Sequence, residues 1–118
     1  MVNKKIIYKM LKHREYLFSL ANSKNKMRLN LIRGANRPQI GAICECIYNL
    51  LNGNINITVE QKEKLKPYRK ILRTLVQKST IKSKKEILEK HGTFLNHLLQ
   101  LVLNNEICNQ NDGGPIHT

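Results

Sequence analysis

Apolar positions recur at helical spacing along almost the whole chain, and the strict alternation that marks a half-buried strand is nearly absent. Ile6, Ile7, Met10, Leu11, Leu17, Phe18 and Leu20 gather toward one side, which predicts a helix over about residues 4 to 21. A turn at Asn22 and Ser23 leads into a short basic helix, Lys24 to Ile32. Gly34 then supplies a C-terminal glycine and Asn36 a cap for the next helix. There Ile40, Ile43, Cys44, Ile47, Leu50 and Leu51 keep the 3.6-residue period over 38–53, where Glu45 is the one charge. Pro38 fits its first turn, because a proline's missing N–H would have no intrahelical partner there, and Gly53 stops the helix. This helix is the expected centre of the core.

Caps and breakers divide the second half. Ile55-Asn56-Ile57 alternates for too few residues to found a sheet and reads as a connector. Thr58-Val59-Glu60-Gln61 has the spacing of a capping box that opens a helix. Pro67 lacks a donor and clashes with the preceding turn, so one short helix should precede it and another run from about Tyr68 to Gln77. Ser83-Lys84-Lys85-Glu86 has a second capping-box pattern, opening a helix that Gly92 closes, and a last helix covers Phe94 to about Leu103. From Asn104 the periodicity fades into a segment rich in Asn and Gly, so residues 104–118 are expected to form a disordered tail. The expected architecture is all-α, a compact bundle of about five to seven short helices in one domain over residues 1–103.

Charge changes this picture from a generic bundle to one with a partner. The chain has 21 Lys and Arg against 8 Asp and Glu, a formal net charge of +13. Such a charge repels itself in the compact state and attracts polyanions. It is also segregated. Residues 1–37 hold ten of the cations and one acid, and residues 54–92 hold eleven cations and four acids; the intervening helix and the last segment hold no cation. In the second block Leu65, Tyr68, Leu72, Leu75 and Val76 form an apolar stripe, while Lys66, Arg69, Lys70 and Arg73 form a parallel cationic stripe about 100° round the helix. One side can pack while its neighbour meets phosphates. Lys24, Lys26, Arg28, Arg33 and Arg37 are the matching candidates in the first block, which has almost no compensating acid. Base-specific readout has little support, since the few aromatics include several of core character.

Catalytic and metal chemistry find no foothold in the pattern. Cys44 and Cys46, two apart on a helix, point to different sides, and no second ligand pair follows at a zinc-binding spacing. Glu60 with Glu63 and Glu86 with Glu89 are interleaved with lysines as caps and ion-pair partners, and the six glycines form no phosphate loop. No enzyme activity and no cofactor are expected. The odd number of cysteines fits a reducing, intracellular compartment. The N-terminal apolar run, broken by Lys9 and Lys12, does not fit a secretory signal.

The last helix favours a different class of function. Phe94, Leu95, Leu98, Leu99 and Val102 make it apolar on more than one side, which suits core packing or docking on a partner such as a capsid protein. At about ten residues it is too short to span a bilayer. An interfacial, membrane-disrupting helix ranks below a protein partner. An oligomer is compatible with the same face.

The runs Ala42-Ile43-Cys44-Glu45-Cys46-Ile47, Asn49-Leu50-Leu51-Asn52-Gly53-Asn54, Lys64-Leu65, Arg69-Lys70-Ile71-Leu72-Arg73, Glu86-Ile87-Leu88 and Gly92-Thr93-Phe94-Leu95 carry a resemblance over about residues 38 to 103. The chain resembles short basic proteins encoded beside capsid genes in adintoviruses and Polinton-like (Maverick) elements, relatives of adenovirus-type viruses. Those proteins commonly have a basic residue, two glycines, Phe and Leu at the last of these runs; His91 and Thr93 depart from that pattern. The resemblance implies a virus-encoded, virion-core type protein that neutralises packaged DNA in the nucleus or the virion. The leading expectation is thus a non-enzymatic nucleic-acid-binding protein, for DNA rather than RNA and with little sequence preference. The alternative is a structural adaptor acting through its last helix.

Overall fold

The computed structural model describes residues 12–112, with side chains through Asn104, and among these residues there is no strand. Seven α-helices follow one another: α1 (Arg14–Ala21), α2 (Asn25–Arg33), α3 (Arg37–Leu51), α4 (Val59–Leu65), α5 (Arg69–Val76), α6 (Ile81–His91) and α7 (Thr93–Asp112). A 3-10 turn, Lys66–Tyr68, joins α4 to α5. The protein is an all-α helical bundle, as the periodicity predicts. The part of the expected first helix before residue 12 lies outside the described residues, as do residues 113–118 of the expected tail. Within the tail, α7 runs past Leu103 as far as Asp112.

α3 and α7 hold the bundle together. α3 opens on a reciprocal capping box: Gln39 N–H donates to Asn36 Oδ1 and Asn36 N–H to Gln39 Oε1, both at 2.9 Å. It closes on a Schellman turn, with Gly53 at φ +74° while Gly53 N–H donates to the Leu50 carbonyl and Asn54 N–H to the Asn49 carbonyl. Asn54 Nδ2 also donates to the buried Asn49 Oδ1 at 2.8 Å, and Ile55 enters the core directly after the turn. Between these ends Ile40, Ile43, Cys46, Ile47 and Leu50 are buried, because α5 and α6 pack on α3 as well as α1 and α7. α1 packs mainly on α7 through Leu17, Leu20 and Ala21; Phe18, grouped with that stripe by spacing, is 60% exposed. Cys44 Sγ lies 3.4 Å from the Leu75 carbonyl, tying α3 to α5, and burial raises its pKa despite nearby Lys84.

One boundary moves. The cap of α6 is Thr80, whose Oγ1 accepts from Ser83 N–H at 3.0 Å, and not Ser83 itself. Starting a turn earlier brings Ile81 into the helix, where it packs against the core.

A polar network crosses the contact between α1 and α7. Asn96 Nδ2 faces the carbonyls of Leu20, Ala21 and Ser23 at 3.2, 3.0 and 2.7 Å, and Gln100 Nε2 donates to the Ala21 carbonyl at 3.0 Å. Carbonyls at a helix C-terminus have no intrahelical partner, so these amides complete α1 from outside. Asn96 Oδ1 in turn accepts from Arg28 Nη1 at 2.7 Å, and Arg28 Nη2 donates to Asn25 Oδ1 at the same distance. Arg28 is only 8% exposed and lies against the one-residue joint between α6 and α7. A Cβ on Gly92 would stand 2.4 Å from the Leu88 carbonyl oxygen and 3.3 Å from Arg28 Nε, so the joint accepts no side chain.

Three tests follow from this packing. Asn96→Leu removes the donor to the Ser23 carbonyl and one of the two acceptors of the buried guanidinium, and is expected to cost about 3 kcal/mol in urea unfolding. Combining it with Arg28→Met should cost less than the sum of the two single changes, because the second removes the unpaired charge. Gly92→Ala should lower Tm by several degrees through the clash with a backbone atom that cannot yield. The third concerns Tyr16, whose Oη donates to the Leu31 carbonyl at 3.0 Å and whose pKa burial pushes up to about 12. The unfolded phenol loses its proton near pH 10 while the folded one keeps it. Stability from Tyr16 is therefore complete below about pH 10 and is lost as pH rises toward 12. Tyr16→Phe should flatten that part of the alkaline decline in denaturant midpoints measured from about pH 9 to about 12.

Candidate nucleic-acid interface

α4, the 3-10 turn and α5 follow one another with no loop between them and make up one helical segment, the rod, interrupted at Pro67. A proline has no N–H to donate to the carbonyl four residues back, so the chain tightens into a 3-10 turn for three residues and then resumes its helix. The rod keeps its amphipathic register across this break. Leu65, Leu72 and Leu75 are buried, whereas Lys66, Arg69, Lys70 and Arg73 are exposed. The rod is fixed at two places: α5 packs on α3, and the Tyr68 ring meets Phe94 of α7 with centroids 5.2 Å apart.

Between the rod and the C-terminal end of α3 runs an open groove of about 650 Å³. One wall is Tyr48, Leu51 and the Schellman turn; the other is Lys62, Lys66, Arg69 and Arg73. Ile57 from the connector and Val76 from α5 add half-buried apolar surface. Glu63 is the one carboxylate among its lining residues. Its Oε2 lies 4.0 Å from Lys66 Nζ, with both side chains about two-thirds exposed, so water screens the pair and leaves the lysine available. The groove is therefore cationic at its rim and apolar beneath.

Three of the four cations expected from the stripe line this groove, and Lys70 lies outside it. Lys62 and Tyr48 join them. Lys62 was readable from the sequence, since 62, 66, 69 and 73 continue one helical ladder across Pro67. The proline concealed that continuity by dividing the segment in two. Tyr48 stands beside the buried stripe of α3 and is 51% exposed, which composition alone does not reveal.

The first basic block is a weaker candidate surface than its charge suggests. Arg28 is corrected outright: it is buried and committed to Asn96 and Asn25, so it cannot meet a phosphate in this conformation. Arg33 Nε donates to Glu89 Oε1 at 2.9 Å in a partly exposed ion pair, and Lys85 Nζ caps the end of α2 at the Arg33 carbonyl, 3.0 Å away. Lys24, Lys26 and Arg37 are exposed but do not line the groove. The docking face expected on the last helix is likewise corrected. Phe94, Leu95, Leu98, Leu99 and Val102 are all buried, because α1 and α3 both pack on α7.

Among the described residues no group of three His, Cys, Asp or Glu side chains is placed to hold a metal ion, and no helix is long and apolar enough to cross a membrane. No family model matches the chain, and neither a curated protein nor a solved structure matches it.

Proposed function

We propose that this protein is a non-enzymatic nucleic-acid-binding protein that grips the phosphate backbone through the cationic rod. The observation that carries this reading is the convergence of Lys62, Lys66, Arg69 and Arg73 on one groove with a single carboxylate among them. A surface shaped only for solubility mixes its signs, and here four cations face one carboxylate. Each phosphate neutralised by such a cation releases condensed counterions, an entropic gain that depends on salt and not on base sequence. DNA bound with little sequence preference is the ligand we favour, and the virion-core setting implied by the resemblance belongs to the same proposal. The adaptor reading loses ground because its docking residues form the core.

Binding to duplex DNA should weaken steeply with salt. Replacing Lys62, Lys66, Arg69 and Arg73 with Gln should lower the slope of log affinity against log salt by roughly three to four units. Replacing Lys24, Lys26 and Arg37 should change it less. These positions are exposed, so thermal unfolding should be nearly unaffected. Salt-insensitive binding, or an unchanged slope in the rod variant, overturns the proposal.

A further inference from the structure

The groove is more than a row of charges, and its apolar part bears on which form of nucleic acid it takes. A duplex presents its phosphates outward and hides the faces of its bases, so against a cationic surface it would leave an apolar floor uncovered. An unpaired strand offers phosphates and exposed ring faces together. The groove offers complements to both. Lys62, Lys66, Arg69 and Arg73 line one wall at three- and four-residue spacing, enough cations for a few successive phosphates. Opposite them, Tyr48 is half exposed in a chain with only six Tyr and Phe residues, and Leu51, Ile57 and Val76 leave partly exposed apolar surface nearby. The groove is open to solvent and, at about 650 Å³, roomy enough for a planar ring to enter.

Resting on the phosphate-binding reading above, we infer that the groove binds single-stranded nucleic acid. The strand's phosphates lie along Lys62, Lys66, Arg69 and Arg73, and an unpaired base stacks on the Tyr48 ring. Charge complementarity calls for an anionic occupant, and the aromatic and apolar wall selects one that carries planar rings. An acidic peptide satisfies the first requirement and not the second. Tyr48 acts by stacking, so its ring matters and its hydroxyl does not.

The experiment compares the full chain with Tyr48→Ala, Tyr48→Leu and Tyr48→Phe. Fluorescence anisotropy at one fixed low salt would follow binding to a labelled oligothymidylate and to the same strand annealed into a duplex with oligodeoxyadenylate. Unlabelled polyglutamate serves as competitor. The free strand should bind about tenfold more tightly than the duplex. Tyr48→Ala and Tyr48→Leu should weaken strand binding by roughly 5- to 150-fold and leave duplex binding unchanged, while Tyr48→Phe retains it. Circular dichroism should show all three variants folded, and Tyr48→Leu keeps the side-chain bulk if the alanine variant does not fold. Equal binding of strand and duplex, both indifferent to Tyr48, overturns this inference and leaves the phosphate-binding proposal standing. Polyglutamate competing as well as the free strand overturns both, and so does failure of both nucleic acids to bind.

Discussion

The structure depends on the amide of Asn96. It meets the carbonyls that end α1, and its oxygen takes up the guanidinium of Arg28. Both partners Arg28 finds here are neutral amide oxygens, and burying a cation without a carboxylate is costly. Part of the cost is offset by position, because the Asn96 amide that accepts from the guanidinium is the one that meets the carbonyls at the negative end of α1. The contact to α1 also closes a long loop, joining Leu20 to Asn96 across 76 positions. Apolar helix faces tolerate sliding, since leucine against leucine is much the same one turn along. An amide that must meet particular carbonyls does not, so Asn96 sets the register in which α7 lies on α1.

That register reaches the groove through Phe94. In the same helix, two residues before Asn96, Phe94 carries the ring that meets Tyr68 in the 3-10 turn of the cationic rod. α3 performs the corresponding task from the other side, burying one stripe against α5 while its C-terminal turn forms the opposite wall of the groove. The cations themselves contribute little to stability and much to surface potential. They can be crowded on one side because the packing beneath them is apolar and does not involve their charge.

Local patterns were the readable part of the sequence. The stripe of α3, the capping box at Thr58, the break at Pro67 and the amphipathic register of the rod each follow from spacing over a few residues, and each is present. What spacing cannot supply is the identity of a distant neighbour. Arg28 counts as one more cation in a basic run until Asn96, sixty-eight residues away, is placed beside it. Phe94 to Val102 is apolar on two sides, and whether a second helix or a partner covers the second side depends on where α1 and α3 lie. The cap of α6 shows the same limit at short range. Ser83 matches a capping box with Glu86, yet Thr80 prevails because the burial of Ile81 rewards an earlier start.

The turn after α3 has a consequence for how the groove chooses what enters it. Its two walls, the end of α3 and the start of the rod, are joined by a connector of only a few residues, and Ile55 within it is fully packed in the core. Widening the groove would draw that isoleucine into water, at about 2 kcal/mol for one such side chain. The walls thus behave as a fixed gauge and not as a hinge. Under the proposed nucleic-acid reading, such a gauge would sort ligands by thickness before any contact with a base edge is made, and the tolerance of that sorting would be set by the hydrophobic core.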